Sequence, residues 1–177
     1  PTKALLPKAL AREPKARVWC AACASGEEPL TLAGLIRAQG LLDRVEIVAS
    51  DISERALQAA RAARYGRRSL RAIQNAPPDW LEVHGDVATA SSELLRAIEY
   101  RRINLLDDAA VRALGAFDAI VCRNVLIYFS DRTASQVVTR LQAALKPGGF
   151  LLVGASESLL RFGTALLCEE RGGAFFY

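Results

Sequence analysis

The sequence predicts an α/β fold in which a mostly parallel sheet carries helices on both faces. Short apolar segments, typical of buried strands, recur along the chain. Between them lie segments with apolar residues at helical spacing, such as Leu32, Leu35 and Ile36. Alternating strands and helices are typical of βαβ units, in which neighbouring strands run parallel. The predicted buried strands are 17–22, 45–50, 98–103, 117–122 and 150–153, and the apolar tail 166–177 is expected to add antiparallel edge strands.

Capping and helix-breaking residues mark the predicted helices. The first helix should begin near Glu28, where Pro29 suits the first turn, and should end at Gly40. Ser53 is expected to cap the second helix, because its hydroxyl can accept a hydrogen bond from a free amide. A later helix begins near Asp131 and is stopped by a Lys-Pro-Gly-Gly segment. Its apolar face is predicted to consist of Val137, Val138, Leu141 and Leu145.

The middle of the chain interrupts this alternation. Pro77 and Pro78 would break any helix there, and the segment 80–87 is typical of a short hairpin that turns at Gly-Asp. We therefore predict one domain over 1–177, with a small inserted β excursion at about 66–97.

The composition is that of an ordinary globular domain of 177 residues with a net charge of +4. We expect a cytoplasmic protein without membrane insertion, because no apolar run approaches the roughly 20 residues of a membrane span and the first residues do not form a signal peptide. The four cysteines lack the spacing of a disulfide framework, so free thiols are expected. Because the sequence does not begin with Met, we expect a piece of a longer protein.

The end of the first strand predicts a site for a cation rather than a phosphate. Ligands of open α/β sheets bind at the carboxyl ends of the strands, and small residues at 22–26 allow close approach to the backbone. Glu27 and Glu28 follow a single glycine, whereas a pyrophosphate would be repelled by two acids at a helix start. These acids suit an ammonium group. The alternative is that they only favour the positive end of the helix.

The end of the second strand predicts a ribose site. Asp51 follows this strand, and an acid at that place can accept hydrogen bonds from a ribose diol. The alternative is that Asp51 caps the following helix. An adenosine ligand that carries a cation and no phosphate is S-adenosylmethionine.

A third strand end carries polar residues followed by aromatic residues. Arg123 and Asn124 follow the strand 117–122, and Tyr128 and Phe129 come shortly after. Without further context, core packing would be the simpler explanation for the two aromatic residues.

Six segments along the chain match, in order, the motifs of one known family. The matching segments are 26–29 (G-E-E-P), 49–52 (A-S-D-I), 104–106 (N-L-L), 122–129 (C-R-N-V-L-I-Y-F), 145–149 (L-K-P-G-G) and 156–158 (S-E-S). The combination of G-E-E-P with C-R-N-V-L-I-Y-F is specific, and together the segments resemble the CheR-type chemotaxis receptor (protein-glutamate) O-methyltransferases. The resemblance implies a Rossmann-like class I S-adenosylmethionine-dependent methyltransferase fold.

The resemblance also implies an activity and the roles of single residues. The activity is methyl transfer from S-adenosylmethionine to glutamate side chains in the cytoplasmic domain of a methyl-accepting chemoreceptor, which leaves S-adenosylhomocysteine. Tyr128 would be the catalytic residue, beside the transferred methyl group, and the insertion at 66–97 would match a small β subdomain. The implied cofactor-binding residues are Glu28 at the ammonium, Asp51 at the ribose, Asn104 and Leu105 beside the adenine, and Arg123 and Asn124 along the pocket.

The sequence departs from the family pattern at several points. Ser25, Leu30 and Ala155 stand where the family has Thr, Tyr and His. The family's N-terminal helical domain is expected to be absent from this chain, as is an N-x-T-x-F-F-R segment that closes over the cofactor and brings an arginine near the substrate. A cofactor-binding regulatory module without turnover therefore stays an alternative to an enzyme.

Two further interpretations start from cysteines and from arginines. Cys20 and Cys23 form a C-x-x-C, but a reactive pair would sit at a helix N-terminus rather than in and after a strand. His84 is the only histidine, so the ligands of a zinc site are lacking and no metal is expected. A basic run could face nucleic acid, but the N/D-P-P-Y/F turn of amino-methylating enzymes is missing, so no nucleic-acid partner is expected. This run consists of Arg61, Arg64, Arg67, Arg68 and Arg71.

Overall fold

The structure is a computed structural model, and it describes residues 14–66, 69, 78–162, 164, 166–171 and 174–177. Its larger sheet contains β1 (Ala16–Ala21), β2 (Val45–Asp51), β6 (Ile98–Arg102), β7 (Phe117–Cys122), β8 (Leu145–Val153), β9 (Glu169–Arg171) and β10 (Ala174–Phe176). A smaller sheet contains β3 (Arg64–Tyr65), β4 (Leu81–His84) and β5 (Val87–Ala90). The α-helices are α1 (Glu27–Arg37), α2 (Glu54–Ala62), α3 (Ser92–Arg96), α4 (Asp108–Ala113) and α5 (Asp131–Ala143), and 3-10 turns lie at Leu42–Arg44, Leu126–Tyr128 and Leu160–Phe162.

The order of the larger sheet is β6-β2-β1-β7-β8-β10-β9. The first five strands run parallel, and β10 pairs antiparallel with both β8 and β9. The predicted parallel sheet and the antiparallel tail are therefore confirmed. From β1 the chain first adds β2 and β6 on one side of β1, and then adds β7 and β8 on the other side. Ligands of such sheets bind at this switch point, between β1 and β7.

Both faces of the larger sheet are covered by helices, as predicted. Side chains of β1 alternate between the two faces, because strand residues have a period of two. Val18 and Cys20 join the core under α1, α2 and α3, whereas Trp19 and Ala21 join the core under α4 and α5. The ring centroid of Trp19 lies 5.5 Å from that of Phe117, which anchors the second core.

The predicted cap at Ser53 is confirmed, whereas the predicted stop of the last helix at Lys-Pro-Gly-Gly is wrong, because that segment lies within β8. Ser53 caps α2 by accepting a hydrogen bond from the amide of Ala56 at 3.2 Å. Leu145, predicted on the apolar face of the last helix, lies instead in β8, because α5 ends at Ala143 and the chain enters the sheet at once. Leu35, predicted in the apolar stripe of the first helix, is 50% exposed.

The inserted segment contains the predicted hairpin. Strands β4 and β5 pair antiparallel, with His84 opposite Val87 across the two-residue Gly-Asp turn. The side chain of His84 is exposed at this turn. Trp80, just before β4, packs so closely on α1 that a Cβ at Gly34 would lie 2.4 Å from the indole nitrogen. The hairpin therefore packs on the main domain, and its residues Leu81, Ala88 and Ala90 also join the core under α1.

In the described part of the chain, no helix is both long and apolar enough to cross a membrane.

Candidate cofactor-binding site

The loop from β1 to α1 is tied to the end of β2. The amide of Cys23 donates to the carbonyl of Ser50 at 2.8 Å, and the amide of Ala24 donates to Asp51 Oδ2 at 2.9 Å. Gly26 has a φ of +86°, and a Cβ at this position would lie 2.7 Å from the Cβ of Ala60. Glycine is therefore required where the loop passes α2, and the loop is held against the strand ends.

Asp51 uses only part of its hydrogen-bonding capacity within the chain. Its Oδ1 accepts from the amide of Ser53 at 2.9 Å, and its Oδ2 accepts from Ala24. The N-cap of α2 is Ser53, so the alternative of Asp51 as the helix cap is wrong. A carboxylate has about four acceptor sites. Because Asp51 is partly exposed, further acceptor sites remain available for ligand hydroxyls.

Glu28 lies opposite Arg123 across the ends of β1 and β7. Arg123 Nη1 donates to Glu28 Oε1 at 3.3 Å, and the side chains are 48% and 27% exposed, respectively. Burial raises the pKa of the Glu28 carboxyl, and the nearby Arg123 charge opposes this shift. Both glutamates of the first turn also suit the helix N-terminus. However, a glutamate that only stabilised the positive end of the helix would not need to be partly buried and paired with Arg123.

Glu27 has different partners from Glu28. Its carboxylate accepts from the hydroxyl of Ser25 at 2.7 Å and from the hydroxyl of Ser69 at 3.0 Å. Glu27 therefore braces the loop, while Glu28 faces the strand ends.

A cavity of about 450 Å³ opens beside Glu28 and Arg123. It lies between α1 and the sheet, and the exposed Leu35 belongs to its wall. The remaining walls are mostly apolar and include Val18, Leu32, Val121, Phe150, Leu152 and Phe176. Sequence patterns did not predict this cavity, because its lining comes from five separate elements.

The segment after β6 joins the end of β2. The amide of Ile103 donates to the carbonyl of Asp51 at 3.0 Å, and Asn104 Oδ1 accepts from the amide of Leu106 at 3.0 Å. The side chain of Leu105 is only 7% exposed and packs into the core, while Leu106 is 38% exposed. The loop is therefore joined to the end of β2 and exposes the apolar side chain of Leu106.

Ile52 is a candidate site residue that the sequence analysis missed. Its side chain is 57% exposed although it directly follows the acid at the end of β2. An isolated apolar residue in an otherwise polar strand-to-helix loop is the signal that could have identified it.

The segment after β7 carries the remaining predicted residues. Asn124 has a φ of +58°, and its amide donates to Glu157 Oε2 at 2.6 Å. The ring of Tyr128 is 81% exposed, so core packing does not explain this residue, whereas Phe129 packs against the second core. Tyr128 does not line the cavity beside Glu28. The structure thus brings Glu28 next to Arg123 and Asp51 next to the loop after β6, with Tyr128 on the surface.

The cysteines do not support a redox site. Cys20, Cys23 and Cys122 are buried free thiols, and Cys168 is an exposed one. Burial raises the pKa of Cys23 to about 12 and that of Cys20 well above its ordinary value. Thiols with raised pKa values are poor nucleophiles near neutral pH.

Within the residues that the structure describes, no group of three or more His, Cys, Asp or Glu side chains could hold a metal ion. Arg61 pairs with Glu54 at 2.9 Å on the surface of α2. Arg67, Arg68 and Arg71 of the same run lie outside the described residues.

The residues at the strand ends fit the cofactor that the sequence predicts. S-adenosylmethionine presents an ammonium group, a ribose diol and an adenine ring. The partly buried Glu28 carboxylate could accept hydrogen bonds from the ammonium, and the unused acceptor sites of Asp51 could take the ribose hydroxyls. The exposed side chains of Ile52 and Leu106 could pack against the adenine.

Comparison with known proteins agrees with this fit. The family described as "CheR methyltransferase, SAM binding domain" matches residues 2–170. A chemotaxis protein methyltransferase from Vibrio parahaemolyticus is 39% identical over 88% of this chain and 58% of its own length. Chemotaxis protein methyltransferase 1 from Pseudomonas aeruginosa is 38% identical over 81% of this chain and 55% of its own length. The chain therefore spans little more than half the length of these curated relatives.

Solved structures support the fold alone. An O-methyltransferase family protein from Burkholderia thailandensis matches with a TM-score of 0.54 and 22% identity, over 85% of this chain and 33% of that chain. The sheet order, the strand-end residues and the family match lead to one conclusion: the chain belongs to the CheR methyltransferase S-adenosylmethionine-binding domain family.

Proposed function

We propose that the full-length protein transfers a methyl group from S-adenosylmethionine to glutamate side chains in the cytoplasmic domain of a chemoreceptor, forming methyl esters in the cytoplasm. The observation that carries this proposal is the pair of carboxylates at adjacent strand ends, Glu28 and Asp51, in a chain of this family. The names of the relatives from Vibrio parahaemolyticus and Pseudomonas aeruginosa support a role in chemotaxis.

Each predicted residue has a role in this proposal. Glu28 binds the methionyl ammonium, and Arg123, which donates to Glu28 at 3.3 Å, holds that carboxylate in place. Asp51 binds the ribose, and the hydrogen bonds that its carboxylate accepts from the amides of Ala24 and Ser53 fix its orientation. Asn104 and Leu105 form the loop beside the adenine, and Asn124, next to Arg123, lines the cofactor pocket. Tyr128 is the residue beside the methyl group.

The chemistry requires orientation more than proton transfer. S-adenosylmethionine, when bound, supplies a methyl group on a positively charged sulfur. The acceptor glutamate is already ionised near pH 7, so no strong general base is needed. The chain's contribution is to hold the reactants in line and to exclude water from the acceptor carboxylate. The Tyr128 ring is 81% exposed, which supports its proposed role because a large protein substrate can reach it.

The segment of about 66–97 is proposed to be the inserted subdomain, and the pairing of its strands β4 and β5 with β3, which lies just before it at Arg64–Tyr65, supports this boundary to within a few residues. It packs beside α1 through Trp80 and leaves its edge strand β4 largely exposed. It is thus placed next to the cofactor-binding domain without taking part in the larger sheet.

Transfer of tritiated methyl groups tests the proposed reaction. The full-length protein is incubated with labelled S-adenosylmethionine and with the cytoplasmic domain of a chemoreceptor from the same organism, or with DNA and RNA. We expect label on the receptor that mild base releases as methanol, and no label on nucleic acid. Base-stable label, or label on nucleic acid, would contradict the proposal. Cofactor binding without transfer to any receptor would favour the regulatory module instead.

The substitution Tyr128→Phe tests the residue at the methyl group. It removes only the hydroxyl of an exposed ring, so the melting temperature and the cofactor affinity should be nearly unchanged. Turnover should fall by about 10-fold, equivalent to ~1.4 kcal/mol of lost transition-state stabilisation.

Tyr177→Phe is the matched contrast to this substitution. The Tyr177 hydroxyl is buried and accepts from the amide of Leu159 at 3.1 Å. Its loss should lower the melting temperature and leave the turnover of the folded protein unchanged. If both tyrosine variants behave alike, Tyr128 has no special role in transfer.

A further inference from the structure

One buried carboxylate gathers the segment that carries the site residues. Glu157 lies after β8, is only 2% exposed, and comes 33 residues after Asn124 in sequence. Its Oε1 and Oε2 accept hydrogen bonds from five backbone amides. These are the amides of Asn124 (2.6 Å), Val125 (2.8 Å), Leu126 (2.8 Å), Ile127 (3.4 Å) and Gly154 (2.8 Å).

The carboxylate packs closely against the backbone at position 154. A Cβ at position 154 would lie 2.5 Å from Glu157 Oε2 and 3.2 Å from the amide nitrogen of Asn124. Glycine at 154 therefore lets the carboxylate enter between β8 and the segment after β7. A buried charged group is costly unless it is hydrogen-bonded, and here the bonds come from the main chain of the site segment itself.

The segment needs such a clamp because it turns sharply after β7. Asn124 adopts a left-handed φ of +58°, a conformation that asparagine accepts more readily than most residues. The next residues tighten into the 3-10 turn Leu126–Tyr128. Their amides would otherwise lack partners, and Glu157 satisfies them together.

We propose that Glu157 is a positioning residue, whose carboxylate fixes the segment 123–128 so that Arg123 meets Glu28 and Tyr128 stands at the open surface. Glu157 acts through main-chain hydrogen bonds and need not touch cofactor or substrate. The part of this proposal that concerns turnover rests on the proposed function, whereas the part that concerns cofactor binding does not.

Hydrogen exchange in the wild-type full-length protein is the first test. The amides of Asn124, Val125 and Leu126 belong to a loop in which Arg123 and Asn124 are exposed, yet they should exchange at least about 10-fold more slowly than amides of unclamped exposed loops. Exchange at the rate of such loops would overturn the proposal. This measurement needs no variant and no substrate.

The variant Glu157→Gln is the second test. It keeps the size of the side chain but leaves one acceptor oxygen and turns an NH₂ group towards amide donors. In protein that remains folded, we expect faster exchange at these three amides, and S-adenosylhomocysteine affinity and turnover each lower by about 10-fold or more. Glu99→Gln, at an exposed residue of β6 that pairs with Arg101, is the control and should change none of these.

The readouts separate a positioning role from general stability. A purely structural role would lower the melting temperature and leave the affinity and turnover of the folded fraction within about 2-fold, which would overturn the proposal. If Glu157→Gln does not fold, Gly154→Ala displaces the same carboxylate and is measured in its place. If no receptor is methylated but exchange and cofactor affinity respond as expected, the positioning role stands and the proposed reaction fails.

Discussion

Replacing Asp51 with alanine is expected to weaken the binding of S-adenosylhomocysteine by roughly 1–3 kcal/mol, about 5- to 150-fold in dissociation constant. The variant removes the acceptor for the ribose hydroxyls. It also removes the partner of the Ala24 and Ser53 amides, which hold the loop between β1 and α1 against β2. Calorimetric titration of the full-length protein measures the change.

A matched control separates this local effect from loss of charge. Asp43 lies in the 3-10 turn just before β2, at the opposite end of that strand from Asp51. Asp43→Ala should bind the product with wild-type affinity. Equal affinity in Asp51→Ala and wild-type protein would remove Asp51 from the site.

Replacing Gly26 with alanine is expected to have the largest effect on the loop itself. The residue holds a left-handed φ of +86°, and its new Cβ would lie 2.7 Å from the Cβ of Ala60. The backbone strain costs about 1–2 kcal/mol, and the steric overlap adds about 1–3 kcal/mol. The free energy of unfolding, measured with denaturant, should fall by that sum, and cofactor affinity should fall as the loop shifts.

Gly40→Ala is the control for the backbone part of this effect. Gly40 has a similar φ of +66°, but a Cβ there would meet nothing within 4 Å. Gly40→Ala should lower the free energy of unfolding only by the backbone strain, about 1–2 kcal/mol, and should leave cofactor affinity unchanged. If the two variants are equally destabilised, the close approach to α2 contributes nothing.

The sequence predicts those parts of the site that depend on residues close together in the chain. Glu28 and Asp51 could be found because Glu28 lies at the start of the helix that follows the first strand and Asp51 at the end of the second strand, and parallel strands end at one edge of the sheet. The cap at Ser53 and the hairpin at 80–87 follow from local chemistry in the same way.

The parts that depend on long-range packing could not be predicted. Glu157 acts on backbone amides, which every residue type except proline provides, so no pattern at 124–127 indicates a carboxylate more than 30 residues away. The cavity combines side chains of β1, α1, β7, β8 and β10. Leu145 continued the helical period, yet the chain had already entered β8.

Mapping of amide chemical shifts in the ¹⁵N-labelled full-length protein tests the cofactor site most directly. S-adenosylhomocysteine should perturb amides at the ends of four neighbouring strands, within 22–28, 51–53, 104–106 and 123–124. Adenosine alone should perturb the second and third of these segments and leave Glu28 and Arg123 unchanged, because it lacks the ammonium group. Perturbations confined to the opposite ends of the strands, or none at saturating ligand, would contradict a cofactor site built on Glu28 and Asp51.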